Sequence, residues 1–518
     1  MRPVHLAPAG VVLLALAALG GIAQLGHPAA SASPAATAAT AATATRQVAV
    51  TSAVRACPPA LGGGSGTVAL IASPTGSTNT TSTTNTASGQ AELTSLPPAG
   101  LQLRPATPLV AKGPGALSLL TVPAAAGATK KDPSAPTGWS VTATGPMAPA
   151  MEAEVAENSG LATVRCGEPS SDLWFVGPGQ QNGAAQLQLD LMNVDSLAAS
   201  VDISLITDAG AVQAGNLTGI TVPPHQTVTE SLSSAAGKSS VVAIGVHTSA
   251  GRVAADVSAG PSHGLPTNWL PSAAAPATQL VIPGVPGSSQ AAGLFLAVPG
   301  AANAKVSVLA ITSQGHYQPF GAQSIELPGE SASYMALTPL GGTAAALQIT
   351  ANVPVVASVL VPGSGVGAAT TATGPISEQA VVAGNTSGSG LAVSVVLSAP
   401  ATAARVRLTE IANANPAGAN PAGANSAGAN PAGPSSGSQV LTVQAGHTLM
   451  APVTPPPGTK PGTAFAIVIT PLAGSGPLYA ARVETQNQTT IVSIIPAISA
   501  LTTISLPPVR DSYDAISP

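Results

Sequence analysis

Apolar and polar positions alternate in short runs along most of the chain, the two-residue period of strands with one face buried. Val201, Ile203 and Leu205 alternate with Asp202 and Ser204, and Val306 and Val308 with Lys305 and Ser307. From Asp172 onward the pattern repeats. The pieces LQLDLMN (187–193), ASVDISLITDAG (199–210), ITVPPHQTVTESL (220–232) and VVAIGVHTSAGRVAADVSAG (241–260) have counterparts between 293 and 361, and again between 391 and 484. Three weakly similar modules of about 100 residues result. TDAG and TSQG, ending at Gly210 and Gly315, are turn compositions at matched places, and Pro223, Pro224 and Pro328 mark edges or corners, where a missing N–H costs no ladder bond. The last two strands of each module are expected to turn at 249–251, 352–354 and 473–476. Only Ala148–Glu157 offers a competing helical reading. Short strands with such punctuation predict an all-β chain of tandem immunoglobulin-like sandwiches. A β-propeller, two four-stranded blades per module, is the structural alternative.

The flanks of this repeat read differently. Arg2 and His5 precede an apolar stretch from Val11 to Leu25, and Ala30-Ser31-Ala32 supplies a small-x-small site. That order is a secretory signal, residues 1–32, cut after Ala32. The alternative is an uncleaved anchor, since 6–25 is near the length that crosses a bilayer; both place the rest of the chain outside the cytoplasmic membrane. An Ala/Thr linker (33–46) leads into an N-terminal β region (47–170) holding a low-complexity loop at 76–89. Modules follow at 171–270, 271–374 and 375–490, then a terminal strand and tail, 491–518. The third module carries ANPAG pentads in a low-complexity insertion (412–438), read as a flexible surface loop.

Cys57 and Cys166 are the two cysteines. In an exported chain they form one disulfide, closing a loop of 109 residues, worth about 4–5 kcal/mol in a chain-entropy model. Neither has a CxxC partner or a neighbouring His, so zinc ligation is not supported. Charged residues are 7% of 518, and the formal charge is −4, which speaks against nucleic acid and anionic lipid as partners. With 2% aromatic residues, cores must come from Val, Leu, Ile and Ala.

Candidate chemistry is sparse. Gly237-Lys238-Ser239 has the end of a phosphate loop without its first glycine, and 233–239 reads as a hairpin turn. Gly-x-Ser-x-Gly strings occur around Ser262 and Ser435, in a linker and in the insertion, away from any strand-to-helix elbow. His225, His447 and Glu330 hold similar places after the corner of each module, as exposed corner residues or, functionally, as a shared ligand. Asp172, Asp190, Asp195, Asp202 and Asp208 give module one a local acidic density without the spacing of a calcium loop. The aromatics that could bind or pack are Trp139, Trp174 and Trp269. Sequons stand at Asn79, Asn216, Asn385 and Asn487. No cofactor or metal is expected.

VTSAVRACPP (50–59), GLATVRCGEPSSDLWFVGPG (160–179) and WLPSAAAPATQLVIPG (269–284) resemble a family of actinobacterial secreted proteins, domain of unknown function 5719. The resemblance implies export from a high-GC Gram-positive cell and an envelope setting, and supplies no catalytic residues. The ANPAG insertion departs from it. Together these readings predict a non-catalytic envelope or extracellular structural and interaction protein, with cell-wall or envelope proteins or glycans as partners. The alternatives are a glycan- or ligand-binding surface protein, needing exposed aromatics, and a secreted hydrolase, needing paired carboxylates in a cleft.

Overall fold

The computed structural model describes residues 46–61, 66–72, 90–100, 107–109, 113–122, 138–157, 162–261, 268–287, 291–337, 340, 342–363, 367–388, 390–413, 436–487 and 490–506. The leader with Ala30 and Ala32, the loop 76–89, the pentads of 414–433, Asn79, Ser262 and Ser435 lie outside the described residues. The chain divides into two units. In the smaller, Met1–Val48 with Thr503–Pro518, the described part is the pairing of Arg46–Ala49 with Thr503–Leu506. All that follows concerns the larger, Ala49–Thr502.

Four β-sandwiches with one strand order make up this unit. In module one, strands Asp172–Pro178, Val241–Ala250, Ala199–Thr207 and Gly210–Val212 form one sheet, in the order first, sixth, third, fourth; Ile220–Val222 extends the fourth along the third. Thr227–Ser231, Gln186–Met192, Ala254–Gly260 and Asn268–Leu270 form the other, in the order fifth, second, seventh, eighth. Module three repeats both orders with strands from Ala380–Thr386 to Thr490–Ala497, so the latter is the eighth strand of that sandwich. The N-terminal β region repeats them again, from Ser52–Cys57 to Thr163–Arg165. It is a fourth copy. Second with fifth and third with sixth, in opposite sheets, are the inner pairs of an immunoglobulin sandwich; the outer strands are exchanged, first beside sixth and seventh beside second. Paired sheets face each other across a shared core, so propeller blades are not formed.

Alternation builds these cores. Val201, Ile203 and Leu205 meet Leu187, Leu189 and Leu191 of the facing sheet. Aromatic volume is scarce, and Phe175, Phe295 and Phe465 are each buried in a different module. The turns end as read: Gly210 and Gly315 take φ of 108° and 109°, and the hydroxyls of Thr207 and Thr312 donate to their carbonyls (3.1 and 2.9 Å).

Three local expectations are corrected. Residues 352–354 make no turn: Ala345–Val361 is one strand of 17 residues. Its first half pairs with Ala304–Thr312 and its second with Ala292–Val298, so module two has sixth and seventh strands in one piece, a corner that carries the chain between sheets. Ala148–Glu157 is not a helix. Its Glu and Ala favour one, but Glu152–Glu157 pairs with Gly66–Ile71 inside a sheet, where tertiary packing overrides propensity. The stretch 233–239 opens with one helical turn, Ser233–Ala236, before Gly237 at φ 57°.

Candidate functional site

The four eighth strands, Thr163–Arg165, Asn268–Leu270, Ala368–Thr371 and Thr490–Ala497, touch one another in turn. After each, the chain returns to its own sandwich: Gly167 bridges to Ala56, Ala273 to Trp174, Thr373 to Val281 and Ser499 to Ala380, each on or beside a first strand. In the N-terminal copy the neighbours of that bridge are also joined covalently, by the Cys57–Cys166 disulfide.

Beside the seventh strands lies an unusual concentration of charge. In Glu152–Glu157, Ala153 and Val155 enter the core of the N-terminal sandwich, and the two-residue period turns Glu152 and Glu154 to the opposite face. Both are about 1% exposed. Glu152 Oε1 receives Arg165 Nη2 at close range and Arg55 Nη2 at 3.4 Å. Glu154 accepts the backbone N–H groups of Ala383 and Gly384 in module three (2.8 and 2.9 Å), and Gly384 leaves the space through which the carboxylate reaches the chain. On the seventh strand of module three, Arg482 and Glu484 stand two residues apart and pair at 2.7 Å, both buried. Burial raises the pKa of Glu154 and of Glu484, with Arg482 opposing. Three carboxylates are therefore balanced by three guanidiniums at a seam between sandwiches. Among the described residues, Glu152 Oε2, Arg165 Nη1, and Arg482 Nε and Nη2 have no hydrogen-bond partner.

A second acidic pair lies on the sheet of module one that faces the N-terminal sandwich. Asp190 and Asp256 are opposite each other on the second and seventh strands, 1% and 5% exposed. Burial raises Asp190 to about 6, against hydrogen bonds from Thr229 (2.7 Å) and Gln188 (3.3 Å). Burial, then the neighbouring Asp190, raises Asp256 well above the usual carboxylate range.

Asp256 also lines a cavity of about 330 Å³ to which all four sandwiches contribute. The N-terminal sandwich supplies Arg55, Arg165 and Cys166; module one Leu173, Asp256 and Trp269; module two Ala369; module three Ile494, Ile495, Pro496 and Ile498. Glu168 stands at its rim, 75% exposed at the side chain and 3.6 Å from Arg55.

A family model matches residues 124–454. The chain belongs to the family of unknown function DUF5719. No curated protein and no solved structure matches it. The DUF5719 match begins ahead of the sixth strand of the N-terminal sandwich and ends just after the fifth strand of module three, at Val453. Arg55 and the Ile494–Ile498 wall of the cavity lie beyond it.

The tryptophans flagged in the sequence are brought together in part. Trp269 is 5% exposed and reaches the N-terminal core, where half-buried Trp139 also packs. Trp174 packs instead between modules one and two. They form no exposed cluster; the exposed aromatics among the described residues are Phe320, Tyr317 and Tyr334 of module two. His225 and Glu330 hold left-handed corners, φ 53° and 52°, where module three places Gly446; His447 starts the next strand, one position on. They lie at separate corners as turn residues. Asp172 pairs with His247 on the surface (2.8 Å), and Asp195 with Arg252 (2.8 and 3.0 Å). Asn385 is fully buried, its amide donating to Val382 and Phe465 carbonyls, so that sequon offers no acceptor. Among the described residues no helix is long and apolar enough to cross a membrane.

The charged seam escaped sequence reading, because isolated Glu and Arg in a sheet sequence are read as surface. One signal was present: EAEVAE alternates, and its alternate Ala and Val suit a strand whose other face is also covered.

Proposed function

We propose that the chain is an exported, non-catalytic structural and interaction protein of the cell envelope or extracellular medium, with cell-wall or envelope proteins or glycans as partners. The observation that carries this reading is the use made of the buried charges. Glu154 ties the N-terminal sandwich to module three through two backbone amides, while Arg55 and Arg165 pair with Glu152 inside the N-terminal sandwich and Arg482 with Glu484 inside module three. Glu154 holds like modules together, and the paired groups keep the charges beside it satisfied. The cystine suits an oxidising compartment, and the leader-like pattern ahead of Ser33 agrees with it.

The reading is tested by cross-linking on intact producing cells, followed by mass spectrometry of whatever is attached to the chain. Wall or envelope proteins, or glycan-bearing species, are expected. Recovery of the chain free in the cytosol would contradict the proposal, as would turnover of a glycoside or ester substrate abolished by a single side-chain change. A second reading, a ligand-binding surface protein, draws on the cavity between the eighth strands.

A further inference from the structure

We propose that this cavity binds a single-chain amphiphile with a carboxylate head, of the medium-chain fatty acid class, the head on Arg55 and the chain along the module-three wall. The inference goes beyond the scaffold reading and concerns the folded unit wherever it resides. Two guanidiniums, Arg55 and Arg165, converge on one buried carboxylate, Glu152, and the second anion near Arg55 is Glu168, which lies largely in solvent. A guanidinium held away from water attracts an anion strongly. The rim carboxylate of Glu168 stands 3.6 Å from Arg55, beyond hydrogen-bond distance and largely in solvent, and marks where an incoming carboxylate would sit.

Among the described residues, Arg165 Nη1 is a buried donor with no protein acceptor, and Asp256 Oδ2 is buried with no hydrogen bond. Burial and the adjacent Asp190 favour the protonated form of Asp256, which donates instead of repelling. The amide of Asn268 is already used, donating to the Gly367 carbonyl and accepting the Trp269 N–H. The opposite wall is Ile494, Ile495, Pro496 and Ile498, and Ile498 is 40% exposed at the mouth. An arginine beside a solvent-facing carboxylate, an apolar wall and about 330 Å³ match a small amphiphile in both chemistry and size.

Titration calorimetry of the full chain with decanoate, below its micelle concentration, tests this. One decanoate per chain is expected, with 1-decanol at least tenfold weaker and decyltrimethylammonium without saturable binding. Glu168→Gln removes a competing anion from the rim and should tighten decanoate several-fold, whereas Ile498→Asp should weaken it at least tenfold. Both are exposed positions, so the comparison stands even where Arg55→Gln disturbs folding. No binding of decanoate, binding of decanol as tight as decanoate, or indifference to both surface variants would overturn the proposal.

Discussion

The seam between modules one and two and the seam between module three and the N-terminal sandwich join sandwiches of one strand order by different means. In the first, Val176, Ile206, Val241 and Ala243 meet Phe295, Ala297, Ala332 and Val356, and the ring of Phe295 lies 5.2 Å from that of Tyr334. In the second, alanines such as Ala69, Ala150, Ala383 and Ala466 share the apolar contacts equally with Ile71, Leu117, Val381, Ile411 and Val468, and beside them lies the balanced network around Glu154 and Arg482. Apolar seams are non-directional and respond to volume. Charged seams are directional and fail when one partner goes, because the other stays buried and uncompensated. A chain with 16 Lys and Arg in all places three arginines at one such seam, which argues for fixed register between these two sandwiches.

The sharpest way to break this comparison is Arg482→Met. It strands Glu154 and Glu484, and chemical denaturation should show a loss of about 3–5 kcal/mol. Adding Glu154→Gln should recover part of it; strict additivity would show that the network is not coupled. At the apolar seam, Phe295→Ala should cost about 3 kcal/mol by the same assay, with no rescue from any charge change elsewhere.

The pH dependence sharpens the contrast further. Asp190 has an ordinary value of 3.8 and a folded value of about 6, so the folded state holds its proton more tightly than the unfolded chain. Its stabilising contribution is present below pH 4 and is lost as pH rises through about 6, a change of roughly 3 kcal/mol at most. Asp256, Glu154 and Glu484 are shifted in the same direction. Melting temperature should therefore fall between pH 5 and pH 8, and Asp256→Asn should flatten that fall. A melting temperature that climbs across the interval would contradict the assignment. The smallest effect is expected from deleting 414–433, whose composition offers nothing to bury. Melting should stay within about 1 °C, since shortening a connection changes closure entropy only slightly.

Legibility followed the residue chemistry. Strand periodicity, the Gly210 and Gly315 turns and the cystine could be read because each depends on local spacing or on the only available partner. NWLP at 268–271 and SIIP at 493–496 both end in proline and mark two of the four eighth strands that frame the cavity. The fourth copy was hidden because 76–89 interrupts the N-terminal sandwich between its second and third strands. Pro354 suggested a break, yet Ala345–Val361 passes through it, since the chain changes sheet there and no single ladder runs the whole length. The charged seam depends on a neighbour more than 200 residues away, Glu154 with Ala383, and no local pattern reports that.

The central claim, an exported scaffold tied together outside the cytoplasm, is tested most directly by fractionating producing cells and digesting the chain under non-reducing conditions for mass spectrometry. The account predicts a mature N-terminus at Ser33 in the wall or medium fraction, with the Cys57 and Cys166 peptides recovered as one linked species. A chain in the cytosol beginning at Met1, with both thiols free, would contradict it.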